Sequence, residues 1–525
     1  SGFSAGFIQD DWRVTPRLTF NAGLRYEFET APTERFNRSV RGFDFATLNP
    51  VHAAALANYA ASPIPEVPVS QFRAVGGLLF AGVGGQPRAI WDTDHKNFAP
   101  RVGLAWRFRR DMVLRAGYGL YYITAGVDRI DVNQAGYTQQ TSLVASLDNG
   151  QTFLATLANP FPGGYQRPLG SAGGLSTDVG RSVSYFTERR PHGYQQRWSF
   201  SLQKQFPRQL LLDTAYVGSR GTKLEATRQK NPVPREYLST LPVRDQPVIN
   251  FLTAQVNNPF YPMLVGTDIS GRTVQRSQLL KPYPHFNGIS TAEQVGYSWY
   301  HSLQARVERR MRGGVLGNAN YTWSKFMGAT SFLNPTDPMP EKVISNLDRQ
   351  HRFTTALIWQ LPVGRGRRFG AGWRGVKDGI AGGWRLSAIY QANSGPAIGF
   401  GNIIFYGNLH DIVLPPGERR VDRWFNTDAG FERDSGRQLA QNIRAFPSRL
   451  TGVRANGNNI WNWSASKSFR IVEKARLEFR CDWLNATNHS HLAAPNASPT
   501  STAFGTVTGT TGYPRQIYFW AKLTF

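Results

Sequence analysis

The chain is almost without cysteine. Cys481 stands alone among 525 residues, which excludes an intramolecular disulfide and any zinc site built on several thiolates. No apolar run approaches the ~18 residues that a membrane helix needs. Ser1-Gly2-Phe3 opens neither a signal peptide nor a natural start. Acidic residues are few: 35 Asp and Glu face 60 Lys and Arg, a formal charge of +25. Helical periodicity is equally scarce. Aromatic residues are plentiful, 13% within a hydrophobic total of 41%, and that is too much for a disordered chain. At roughly 100–200 residues per domain the length suggests three or so soluble domains, although barrels run longer as single units. The mean hydropathy of −0.38 suits a soluble protein. It equally suits a membrane barrel, in which only alternate residues of each strand are apolar.

What the sequence has instead is period-two alternation. Ile517, Phe519, Ala521, Leu523 and Phe525 alternate with Gln516, Tyr518, Lys522 and Thr524. Leu477, Phe479, Cys481 and Trp483 alternate with Arg476, Glu478, Arg480 and Asp482. The same pattern puts Leu18, Phe20, Ala22, Leu24 and Tyr26 on one face, and Val102, Leu104, Trp106 and Phe108 on another. Each stretch runs about 10–12 residues, the length of a tilted strand crossing a bilayer. The alternation predicts about thirteen such strands, near 4–14, 18–28, 97–108, 112–123, 194–206, 209–219, 295–310, 315–326, 350–361, 383–394, 459–471, 474–485 and 515–525.

The strands come in pairs around short polar turns such as Thr15-Pro16-Arg17, Arg109-Arg110-Asp111, Pro207-Arg208-Gln209, Arg312-Gly313-Gly314 and Val472-Glu473-Lys474. Between pairs lie long segments of little periodicity, 29–96, 124–193, 221–289, 328–348, 396–457 and 487–514. Loops this long are improbable inside a compact soluble domain. Short turns at one end and long loops at the other mark an outer-membrane barrel. The expected fold is therefore all-β, an antiparallel up-and-down transmembrane barrel. From an odd count with the last strand running toward the short-turn end, residues 1–525 are expected to be a C-terminal portion of a longer barrel. A sheet in hydrocarbon must close on itself, so further strands are expected upstream.

Several motifs resemble the barrel of TonB-dependent receptors, and most of all the Oar-like subgroup. They are "FIQDDWRVTPRLTFNAGLRYEF" (7–28), "KNFAPRVGLAWRF" (96–108), "GYQQRWSFSLQKQFPRQLLLDTAYVGSRGTKL" (193–224), "NLDRQHRFTTALIWQLPVGRGRRF" (346–369), "GGWRLSAIYQANSG" (382–395) and "PRQIYFWAKLTF" (514–525). The resemblance implies a plugged 22-stranded barrel, of which this chain carries about the last thirteen strands. Its implied partners are outer-membrane lipid and lipopolysaccharide, the missing N-terminal strands and plug, the TonB complex acting through that plug, and the barrel-assembly machinery. Plug, TonB box and regulatory β-sandwich have no counterpart in these residues. The implied function is energy-coupled uptake of an oligosaccharide or siderophore-like solute. A non-transporting structural or adhesive barrel and a soluble β-rich carbohydrate-binding protein or enzyme are the other readings. Terminal Phe525 resembles the signal read by the assembly machinery and equally fits an aromatic girdle.

The positive charge is spread around the wall. Arg25, Arg101, Arg107, Arg115, Arg197, Arg306, Arg385, Arg476 and Arg480 fall on the polar face of different strands. A nucleic-acid footprint is one patch, so no nucleic acid is expected. Glu27, Glu308, Glu478 and Asp482 stand near enough to pair with some of the arginines. The excess favours anionic solutes. Candidate ligand contacts are the wall residues Arg101, Arg107, Arg306 and Arg480 and the loop aromatics Phe332, Phe405, Tyr406 and Trp424. Trp12, Trp106, Tyr122, Trp198, Trp299, Trp323, Trp359, Trp384, Trp461, Trp463 and Trp483 predict two interfacial girdles. Lys467 breaks the outward apolar pattern, at a depth from which it reaches the interface.

Nothing points to catalysis. No residue is assigned a catalytic role, since neither a nucleophile elbow nor a paired-carboxylate motif is present. Asp92, Asp94 and His95, and His489 with His491, are two small groups of ligand type without the set a metal needs, so neither metal nor cofactor is expected. The glycines among Arg365, Arg367, Arg368, Arg374 and Lys377 imitate a phosphate loop, but no helix signal follows them. That segment reads as a solvated turn.

Overall fold

The computed structural model describes the chain except residues 125–132, 142, 144, 147–149, 166, 265 and 472–474. Thirteen strands make one wall. They are β1 (Phe3–Thr15), β2 (Leu18–Glu29), β3 (Asn97–Arg109), β4 (Met112–Tyr122), β5 (Tyr194–Phe206), β6 (Leu210–Gln229) and β7 (Gly288–Arg312). They continue with β8 (Val315–Ala329), β9 (His351–Gln360), β10 (Arg385–Asn393), β11 (Asn458–Arg470), β12 (Arg476–Leu484) and β13 (Gln516–Thr524). Each pairs with its chain neighbours, from β1 at one edge to β13 at the other. The expected strands are all present, and the expected turn at 472–474 lies outside the described residues.

Register settles the two faces, because neighbours across a ladder share a side. Trp12 lies opposite Phe20, Leu18 opposite Trp106, and Trp463 opposite Trp483, which in turn faces Ile517. On the other side Arg101 lies opposite Gly119 and Gly119 opposite Arg197. All eleven expected girdle aromatics share the apolar face. Trp12, Trp106, Trp359 and Trp384 stand near the short-turn end, and Tyr122, Trp198, Trp323, Trp461 and Trp483 stand toward the loop end. At that upper level tyrosine hydroxyls meet histidines, Tyr216 Oη to His301 Nδ1 at 2.7 Å and Tyr321 Oη to His351 Nδ1 at 2.8 Å. Amphipathic rings suit that depth. Asp10, on edge strand β1, is the one mid-span carboxylate on the apolar face among the described residues.

The short turns follow local chemistry. Gly313 and Gly314 take φ of 62° and 81°, the left-handed pair that matches strand twist and that glycine adopts without strain. Arg208 and Gln209 take the same region at 65° and 63°.

The long segments are not the loose loops their aperiodicity suggests. Strands β6 and β7 run on to Gln229 and back to Gly288, well past the expected 219 and 295, and rise above the wall as a twisted hairpin. Around it a first cap packs Val40, Phe43, Leu78, Leu252, Phe260, Phe286 and Ile289 into one core. Helix α1 (His52–Ala60) buries Ala55 and Tyr59 in it, and the Tyr59 ring stacks on Phe72 at 4.1 Å. Helix α2 (Gln246–Thr253) starts at Asp245, whose carboxylate accepts the Val248 N–H at 3.2 Å, with Pro247 in the first turn. Fully buried rings of this size contribute about 1.5–3 kcal/mol each.

A second cap joins the segments after β10 and β12. Its core is phenylalanine-rich: Phe400, Phe425, Phe431, Phe446 and Phe504, with ring centroids 5.0–5.7 Å apart along the cluster. The Asp348 carboxylate, 1% exposed, anchors this cap to the rim. It takes Arg454 Nη2 at 2.6 Å and the Phe326 N–H of β8 at 2.6 Å. The two caps are tied by main chain. The Ser239 N–H donates to Gln441 O at 3.1 Å and the Ile443 N–H to Ser239 O at 2.8 Å. The Arg444 N–H meets Asn334 Oδ1 at 2.7 Å.

Candidate functional site

The nine arginines expected on the polar face all share it, and three form an ion pair with a carboxylate two residues along the same strand. Arg25 Nε meets Glu27 Oε2 at 2.7 Å, Arg306 Nη2 meets Glu308 Oε2 at 2.7 Å, and Arg480 Nε meets Asp482 Oδ1 at 2.8 Å. Residues i and i+2 of a strand lie on one side, so these pairs are local and solvated, worth well under 1 kcal/mol each. Arg107 lies near the first short turn, with Nη2 3.5 Å from Pro16 O. Arg306 and Arg480 are thus committed to partners.

Arg101 and Arg197 differ. They occupy one rung, separated by Gly119 of β4, with Cα atoms about 10 Å apart across two strand spacings. Gly119 leaves the space that the Tyr121 ring fills. A Cβ there would lie 2.9 Å from Tyr121 Oη. The guanidinium carbons of Arg101 and Arg197 sit 4.6 and 5.3 Å from the centre of that ring. Arg197 also donates Nε–H to Gln195 Oε1 at 2.7 Å. Among the described residues no carboxylate pairs with either guanidinium. Gly103 and Gly117 keep the next rung low, and the result is a depression of about 440 Å³ walled by Gln9, Asn21, Arg101, Tyr121 and Arg197. Two cations beside one aromatic hydroxyl suit a carboxylate or phosphate, which guanidinium grips through paired N–H donors.

The loop aromatics are mostly packing. Trp424 is 9% exposed, within the second-cap core, and donates Nε1–H to Arg454 O at 2.7 Å. Phe405 leans on Phe431 at 4.9 Å and Phe446 at 5.6 Å. Phe332 is covered by the Arg228 guanidinium, 3.9 Å from its centre. Tyr406 alone of the four is exposed, its hydroxyl 3.4 Å from Glu432 Oε2. The structure therefore does not bring the four together. Phe525 lies exposed beyond β13.

At the rim, Asp92 is taken by Arg41 Nη2 at 2.7 Å and the His95 ring rests 5.3 Å from Phe28. Asp94 accepts the His192 and Lys96 N–H groups, each at 3.0 Å. Burial opposes its ionisation. Those hydrogen bonds and the charges of His192 and Lys223 nonetheless hold the carboxyl below the usual range. His489 and His491 stack edge to face at 5.4 Å. Tyr121 was missed by sequence reading. The spacing Gly117, Gly119, Tyr121 on the polar face of β4 was its signal.

The model of a family described as "Outer membrane beta barrel domain" matches residues 2–518. The chain belongs to that family. Its wall is therefore lipid-facing on the Trp12 side and lumenal on the Arg101 side, in the bacterial outer membrane. Short turns face the periplasm and the caps face outward. No curated protein matches the sequence significantly. Among solved structures this outer-membrane barrel is similar to the transporter YddB from Escherichia coli (10% identity, TM-score 0.43, 99% of this chain and 53% of that one). It is also similar to the ferric-catecholate import receptor Fiu from Escherichia coli K12 (10%, 0.41, 99% and 44%) and to the ferripyoverdine receptor of Pseudomonas aeruginosa (9%, 0.38, 99% and 38%). The chain spans about 38–53% of the length of these three.

Proposed function

We propose that this chain supplies barrel wall and outer caps to an Oar-like TonB-dependent receptor that imports an anionic solute. The observation that carries the reading is the Arg101–Tyr121–Arg197 cradle on the lumenal face, whose two cations lack carboxylate partners among the described residues. Charge of one sign focused in a low-dielectric channel raises the local concentration of the opposite charge. Residues 1–525 act as the C-terminal portion of a 22-stranded barrel. Support comes from β1 and β13, which each pair on one side only, whereas a spanning sheet must close. The rest of the barrel, with plug, TonB box and regulatory β-sandwich, belongs to the same protein and supplies the energy coupling. Lys325, His301 and His351 at the upper girdle meet lipopolysaccharide phosphates, and Phe525 presents the assembly signal.

The test is association of the full-length protein with the periplasmic domain of TonB, together with uptake of a labelled acidic oligosaccharide in cells with and without TonB. Binding and TonB-dependent uptake are expected, and uptake falls at least tenfold in Arg101→Ala/Arg197→Ala. Absence of TonB association would establish the alternative, a non-transporting structural or adhesive barrel.

A further inference from the structure

We propose that residues 361–384, the long periplasmic turn between β9 and β10, form a foot that seats the wall on anionic phospholipids of the periplasmic leaflet. The turn is largely exposed, as its glycines suggest, but it is not helix-free. It contains helix α3 (Gly375–Ala381), and that helix is held from the lipid side. Lys467 of β11 shares the outward face with Ala465 and Phe469, opposite Cys481 and Leu477 of β12. It is 5% exposed because its Nζ donates to the carbonyls of Asp378, at 3.1 Å, and Gly382. Trp384, the outward residue just before β10, donates Nε1–H to Ile380 O at 2.8 Å. Two anchors on the lipid face therefore grip the last carbonyls of α3. Earlier in the turn, Arg367 lines one depression with Arg385 and Arg476, on the lumenal side.

This placement leaves Val376 and Ile380, one helical turn apart, 76% and 69% exposed beside the lower girdle, with Phe369 at 55%. The same turn carries five cations, Arg365, Arg367, Arg368, Arg374 and Lys377, against one carboxylate, Asp378. Asp378 is spent within the turn, accepting the Arg365 N–H at 2.7 Å, with Arg365 Nε at 3.7 Å. The other four have no carboxylate partner among the described residues. Exposed apolar side chains and an excess of cations in one turn at the edge of a lipid-facing surface suit an interfacial anchor, and each cation near an anionic leaflet adds attraction. Arg17, Arg110, Arg208 and Arg312 at the other short turns extend the same charge along the rim.

The experiment uses full-length protein in phosphatidylglycerol-containing vesicles, with Cys481→Ala and a spin label at Val376→Cys, read by collision with oxygen and with a water-soluble nickel complex. A label at Leu303→Cys, on the lipid face of β7, controls for wall insertion. At position 376 oxygen collisions are expected to exceed nickel collisions severalfold, and this excess is expected to fall in Arg368→Gln/Arg374→Gln/Lys377→Gln. A water-like signal at 376 beside a hydrocarbon signal at 303 would overturn the foot. A label shielded from both reagents would show a protein partner there and would overturn it equally.

Discussion

His285 offers a test of whether the first cap is a cooperative core. The ring is 0% exposed between Phe286, 4.6 Å away, and Phe260, 6.2 Å away. Its Nε2 lies 3.4 Å from Gly76 O and its Nδ1 has no partner. Burial, aided by the neighbouring His52 charge, pushes its pKa from 6.5 down to about 4. The neutral form is thus the folded form. Above pH 6.5 both states are neutral and nothing is lost. As pH falls from 6.5 toward 4, the opened cap takes up a proton that the closed cap refuses, so stability drops. Between about pH 7.5 and about pH 5 the two-state expression gives a loss of about 2 kcal/mol, about a thirtyfold rise in opening. Hydrogen exchange of α1 and of the strand Val75–Phe80, corrected for the intrinsic pH dependence of exchange, reads it directly. The uncharged donor in His285→Gln should flatten the response. Protection that is unchanged between the two pH values, or an equal response in the variant, refutes the argument.

Other outcomes follow from the same packing. Trp424→Ala should cost about 3–5 kcal/mol in the second cap, seen as faster proteolysis of 396–457 while the heat-modifiable migration of the barrel persists. Asp348→Ala strands the Arg454 guanidinium and should loosen that cap by about 3–5 kcal/mol, measured by exchange at 449–454. Gly119→Leu should displace Tyr121 and weaken anion capture about as much as losing one guanidinium, roughly 1.5–3 kcal/mol, without affecting membrane assembly. Phe525→Ala should lower the yield of assembled barrel, and an unchanged yield would refute its role as the assembly signal.

The wall was legible because lipid on one side and water on the other impose a two-residue rhythm that survives in a single sequence. The i, i+2 pairs Arg25–Glu27 and Arg480–Asp482 were visible for the same reason. The caps were not, because Phe43 meets Phe286 across nearly half of the chain and no period marks that contact. Trp424 and Tyr406 look alike as loop aromatics, and only tertiary packing buries the first and exposes the second. Arg101 and Arg197 are brought together by register, which depends on where each turn falls. Helix α3 was invisible because Gly375 and Gly379 speak against it, and it is held instead by a lysine from a distant strand.

The paired main-chain bonds through Ser239 have a mechanical meaning. They couple the two outer caps, so that displacing one strains its backbone link to the other. A macromolecule gripping either cap would therefore pull on both from a single point of attachment.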